Sequence, residues 1–93
     1  MLVATVVGPV WATKRVDPFP PVALLEVQCA GSGKRLVAVD TLGSGPGDRV
    51  LVTQGSAVAQ HFSGKAPLDA MIVGVIDEPP AGSGTSAEAI PPQ

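Results

Sequence analysis

The side chains able to do chemistry in this chain are few and scattered. There is one imidazole, His61, and one thiol, Cys29. Nucleophilic catalysis needs a base within hydrogen-bond reach of the nucleophile and a third group to orient that base. His61 stands beside Phe62 with no such partner, and reads as a surface or structural histidine. Cys29 falls on the apolar face of a strand, where a cysteine behaves as a small hydrophobe and its thiolate is disfavoured. A single cysteine closes no intrachain disulfide, and a zinc site needs partners that this sequence lacks. Asp40, Asp48, Asp69 and Asp77 fall at strand ends and loop edges, where aspartate accepts hydrogen bonds from turn amides. Nothing marks the cleft that a working pair of carboxyls would need. No catalytic residue, metal ligand or cofactor is therefore expected.

Two glycine-rich segments invite comparison with phosphate-binding loops, and both fail. Gly31-Ser32-Gly33-Lys34-Arg35 has Gln28 where a P-loop needs glycine and Arg35 where it needs serine or threonine. In Gly43-Ser44-Gly45-Pro46-Gly47 the third glycine comes one position early for a dinucleotide fingerprint, and the strand-loop-strand context is wrong for a βαβ unit. A tight backbone loop is the better reading. The pairs Lys14-Arg15 and Lys34-Arg35 border loops and read as a solvated basic edge.

Composition bounds the rest. The 93 residues make one small domain, 45% hydrophobic, 3% aromatic and 15% charged, with a formal net charge of -2. A near-neutral, slightly acidic chain lacks the positive field that nucleic acid or anionic lipid requires. A domain this small buries only about 60–65% of its unfolded surface. With a mean hydropathy of +0.35, it is expected to keep apolar surface that wants a neighbour, so self-assembly is the first expectation. The apolar opening Met1 to Ala12 carries Gly8 and Pro9 and meets Lys14-Arg15 only afterwards, the wrong order for a secretory signal. It is also too short for the roughly 20 apolar residues of a bilayer span. A soluble, intracellular protein without a membrane partner is expected.

The elements that position these residues follow from short Val/Ile/Leu runs cut by Gly and Pro, the pattern of a small all-β barrel or sandwich. Strands are expected over Leu2 to Ala12, Ala23 to Cys29, Arg35 to Asp40, Arg49 to Thr53 and Ala70 to Asp77. In the second, Ala23, Leu25, Val27 and Cys29 share one face. Gly31-Ser32-Gly33 turns the chain between the second and third. Ser56 is the expected N-cap of one or two helical turns running through Phe62 and stopped by Gly64. The fifth strand is apolar on both faces, so it should be central or covered on both sides, its outer face by another subunit. Residues 78–93, rich in Pro, Gly and Ser, read as a flexible tail after a single domain over residues 1–77.

Read in order, Asp40 to Val52, then Gly55-Ser56-Ala57, then Pro67-Leu68-Asp69-Ala70 and Gly74-Val75-Ile76-Asp77, the sequence resembles the bacterial microcompartment vertex family of EutN/CcmL type. The resemblance spans about Met1 to Asp77. Each piece is weak alone; the ordered set is fairly specific. The chain departs from the family pattern at Ala57, Val58 and Ala59, where relatives often show Ser, Ala and Arg, so no basic residue on the helix carries a role over.

The resemblance implies a five-stranded, OB-like β-barrel with one short helix, assembling as a homopentameric ring. Such a ring plugs the corners of a polyhedral shell, in the cytoplasm, whose facets are built from hexameric shell proteins; no catalysis is implied. Gly43, Ser44, Gly45 and Gly47 are then the candidates for a loop lining the axial opening, since a loop without bulky side chains lets five copies converge. Asp40, Ser56, Asp69 and Asp77 are candidates for the subunit or shell interface. The main rival is an OB-like module binding single-stranded nucleic acid. That reading needs aromatic stacking platforms in a basic groove, and it sits badly with one Trp, two Phe, no Tyr and a negative charge. A small enzyme using His61 or Cys29 is the remote alternative.

Overall fold

The structure is a computed structural model and describes residues 1–62 and 66–77. Its elements are β1 (Leu2–Pro9), β2 (Ala23–Cys29), β3 (Arg35–Asp40), β4 (Arg49–Gln54), α1 (Ser56–His61) and β5 (Ala70–Val75). The strands close a barrel in the order β1-β2-β3-β5-β4. Neighbours run antiparallel, except that β5 lies parallel to β3 through the pairing Val39 with Met71. Closure leaves the barrel no exposed sheet edge.

Strand alternation sends one set of side chains inward. Leu25, Val27 and Cys29 of β2 are buried while Gln28 is exposed; Ala23, expected on the inner face, is exposed at the strand's first position. Val27, Val50, Val52 and Ile72 have no accessible surface and centre a core completed by Ala4, Val6, Leu25, Ala38 and Ala70. Each such aliphatic side chain contributes about 1.5–3 kcal/mol relative to exposure. A second cluster, Val39, Val58 and Met71 with Val22, Leu24, Phe62 and Leu68, lies outside the barrel, where α1 seals the β3–β5 pair.

The structure corrects several expectations. The first strand ends at Pro9, not Ala12: its pairing slips between Val6 and Gly8, and proline has no N–H to donate. One further bond, Val10 N–H to the Leu24 carbonyl at 2.8 Å, precedes the departing loop. The fifth strand ends at Val75, not Asp77, because β4, its partner, begins at Arg49; Ile76 N–H still reaches the Arg49 carbonyl at 2.7 Å.

The helix N-cap is Gly55, not Ser56. Gly55 sits at φ 109°, a conformation open to glycine, and Ser56 becomes the first helical residue with no side-chain cap bond. The outer face of β5 is covered in part by the chain's own helix, at Met71, while Val73 and Val75 stay exposed. The helix stop at Gly64 and the tail over residues 78–93 lie outside the described residues.

Candidate functional site

The loop from Thr41 to Asp48 joins β3 to β4 and is built around two carboxylates. Asp40, the last residue of β3, is 5% exposed although it is charged. Its Oδ1 accepts from the Leu42 N–H at 3.2 Å and the Ser44 Oγ–H at 3.1 Å, and its Oδ2 accepts from the Gly43 N–H at 3.0 Å and the Ser44 N–H at 2.9 Å. A buried carboxylate is tolerable when its oxygens are this fully used. Asp48 does the same at the other end, accepting the Gly45 N–H at 2.9 Å while its own N–H goes to the Gly45 carbonyl at 3.0 Å. Gly47 N–H donates to the Val6 carbonyl at 2.9 Å, and Val6 N–H returns a bond of 2.9 Å to the Asp48 carbonyl, so the loop is tied to β1. Gly43 at φ 85° and Gly47 at φ 88° supply the left-handed turns this path needs.

The other interface candidates separate. Ser56 and Asp69 are exposed at the end of the β4–β5 pair where Gln54 faces Ala70, and the Gly55 N–H to Asp69 carbonyl bond of 2.9 Å brings their backbones together. Asp77, also exposed, follows Ile76 at the opposite end, the end of the glycine loop. Asp40 turns inward to the loop backbone and offers little to a neighbour.

An apolar feature escaped the sequence reading. A groove of about 390 Å³ opens between α1, β5 and the start of the loop, lined by Leu42, Val58, His61, Met71, Ile72 and Val73 among others. Beside it the outer face of β5 and the start of the loop stay apolar, with Val73 41% exposed, Val75 44% and Leu42 52%; Val37, 48% exposed, lies toward the other end of β3 beside Leu68 and Asp69. The alternation that hides Ala38 and Ile72 puts Val37 and Val73 outside; which outward positions a helix would cover was not legible locally. His61 packs edge-on against Phe62, centroids 5.0 Å apart, at the rim of this groove.

Arg15 also departs from expectation. It is a clasp and not merely a solvated edge: Nε donates to the Ala12 carbonyl at 3.0 Å, Nη1 to the Val22 carbonyl at 2.9 Å, and the guanidinium lies 5.0 Å from the Phe19 ring centroid. Arg35 makes an exposed 3.5 Å pair with Glu26, a contact worth little. Among the described residues no group of three or more His, Cys, Asp or Glu is placed to hold a metal, and no helix is long and apolar enough to cross a membrane.

A closed five-stranded barrel with a rigid glycine loop at one end and an uncovered apolar wall is a module of the kind that assembles with copies of itself. The family model described as "Ethanolamine utilisation protein EutN/carboxysome" matches residues 1–77, and the chain belongs to that family.

Curated relatives and solved structures agree. The chain is 34% identical over 88 residues to the bacterial microcompartment shell vertex protein EutN of Salmonella typhimurium, covering 88% of this chain and 89% of that one. It is 40% identical over 91 residues to the carboxysome shell vertex protein CcmL of Synechocystis, covering 91% of each. Among solved structures, a pentameric shell protein from the RMM microcompartment superposes with a TM-score of 0.78 at 49% identity, covering 82% of this chain and all of that one. The GrpN pentameric microcompartment shell protein from Rhodospirillum rubrum superposes with a TM-score of 0.74 at 31% identity, covering 84% and 95%. These relatives are structural shell proteins, and the fold and family favour that role over nucleic-acid binding.

Proposed function

We propose that this chain is a non-catalytic shell component whose five copies close into a ring capping the vertices of a bacterial microcompartment in the cytoplasm, next to hexameric shell proteins that form the facets. The observation that carries the reading is the apolar outer surface of Leu42, Val73 and Val75 beside the groove under α1. A heterologous contact closes into a ring when the rotation per subunit divides a full turn, and such a contact covers this surface. The solved relatives described as pentameric support five copies. Ser56, Asp69 and Asp77 are exposed and available to neighbours, while Asp40 acts from beneath by holding the loop.

In this reading the loop of Gly43, Ser44, Gly45 and Gly47 turns toward the fivefold axis and frames a narrow opening. The mass in solution tests the ring: light scattering should return five times 9.3 kDa. A stable monomer or trimer at micromolar concentration would overturn it. Ser44→Trp tests the loop, since the ring should persist with its opening blocked in a cryo-EM map; an indole pointing away from the axis refutes the placement.

A further inference from the structure

We propose that the axial opening formed by the glycine loops is a collar of hydrogen-bond acceptors that admits cations and hydrogen-bond-donating neutral solutes and turns anions away. The inference rests on the pentamer with residues 41–48 at its axis.

The loop spends its own donors internally. Successive glycine-loop amides ordinarily form a nest that binds anions. In this chain the nest is already filled by the protein's own carboxylates. The N–H groups of Leu42, Gly43 and Ser44 all go to Asp40, that of Gly45 goes to Asp48, Pro46 has none, that of Gly47 goes to Val6 and that of Asp48 to the Gly45 carbonyl. The Ser44 hydroxyl proton is spent on Asp40 as well. From Leu42 to Asp48 no backbone N–H or serine O–H is left to offer a solute. Among the described residues no backbone N–H is bonded to the carbonyls of Leu42, Gly43 and Ser44, so what the loop backbone presents is oxygen lone pairs.

The charges point the same way. Five loops bring ten carboxylates, Asp40 and Asp48 of each copy, behind the rim. Lys34 and Arg35 lie at the opposite end of β3 from Asp40, and Arg49, which follows Asp48 in the chain, is already engaged. Thr41 is among the residues lining the groove under α1. A narrow ring of carbonyl oxygens replaces part of a cation's hydration shell and offers nothing to an anion.

The test is a pair of soaks of pentamer crystals, one in rubidium chloride and one in sodium bromide, read by anomalous difference maps. A Ser44→Lys crystal in bromide serves as the control that solutes reach the axis. The expected result is rubidium on the fivefold axis at the level of residues 42–44, with no bromide there in the natural protein and bromide in the lysine variant. Bromide on the axis of the natural protein overturns the proposal. So does the absence of both ions while the lysine variant takes bromide. Loops lying away from the axis in the same maps overturn the underlying pore placement instead, which separates the two failures.

Discussion

Asp40 and Ser44 are joined twice, through Ser44 N–H to Oδ2 at 2.9 Å and Ser44 Oγ–H to Oδ1 at 3.1 Å. With Leu42 and Gly43 bound to the same carboxylate, one side chain fixes the loop that the proposed function places at the axis. Asp40→Ala should cost about 2 to 3 kcal/mol, because charge-assisted bonds are lost and loop donors are orphaned. For a domain of this size that lowers the melting temperature by roughly 10 to 20 °C. Ser44→Ala removes only the hydroxyl bond and should cost about 1 kcal/mol. Calorimetry on the two variants checks both, and equal effects would contradict the role given to Asp40.

The left-handed turns make a paired prediction. Gly45 and Gly47 both have open space where a Cβ would go, but only Gly47 holds a positive φ, at 88°. Gly47→Ala should therefore destabilise by about 1 to 2 kcal/mol from backbone strain alone. Gly45→Ala should stay within about 0.5 kcal/mol of the parent. Urea unfolding midpoints at unchanged slope measure the difference.

Assembly and folding should separate on the outer wall. Leu42 and Val73 are 52% and 41% exposed and border the groove under α1, so Leu42→Asp or Val73→Asp costs the single barrel little. In the ring it places a charge in an apolar seam, where an unpaired ion is expensive. The expected outcome is a ring that dissociates at more than tenfold higher protein concentration, with the far-ultraviolet dichroism of the monomer retained. Sedimentation velocity over a dilution series decides it, and a pentamer as tight as the parent places the seam elsewhere.

The interior gives the opposite pattern. Ile72 is wholly buried among Val27, Val50 and Val52. Ile72→Val should cost about 1 kcal/mol and Ile72→Ala about 2 to 5 kcal/mol. Since small domains hold only about 5–15 kcal/mol in all, the alanine variant should lose fold and ring together in the same thermal scan.

Much of the barrel was legible because its determinants are local. The alternation Leu25, Val27, Cys29 marks a half-buried strand whatever surrounds it, and Gly31 to Gly33 must turn. The glycines of residues 43–47 announce a tight loop. The ends of elements were less legible. Pro9 lies inside an apolar run, and only the bulge at Val6 and Gly8 shows where β1 stops pairing. Gly55 and Ser56 are both acceptable caps by type, and the backbone angle at Gly55 decides between them.

Unaided, the sequence determined the number of strands, the short helix and the scarcity of groups able to do chemistry, since residue type and a period of two are properties of neighbours in the chain. Only the tertiary structure decided that β5 enters between β3 and β4, parallel to one and antiparallel to the other. It alone decided that α1 covers Met71 but leaves Val73 bare, that Arg15 clasps its own loop, and that Asp40 consumes the donors of the glycine loop. Each of these depends on which distant segments closure of the barrel brings together, and on which polar atoms are then within 3 Å or so of a partner.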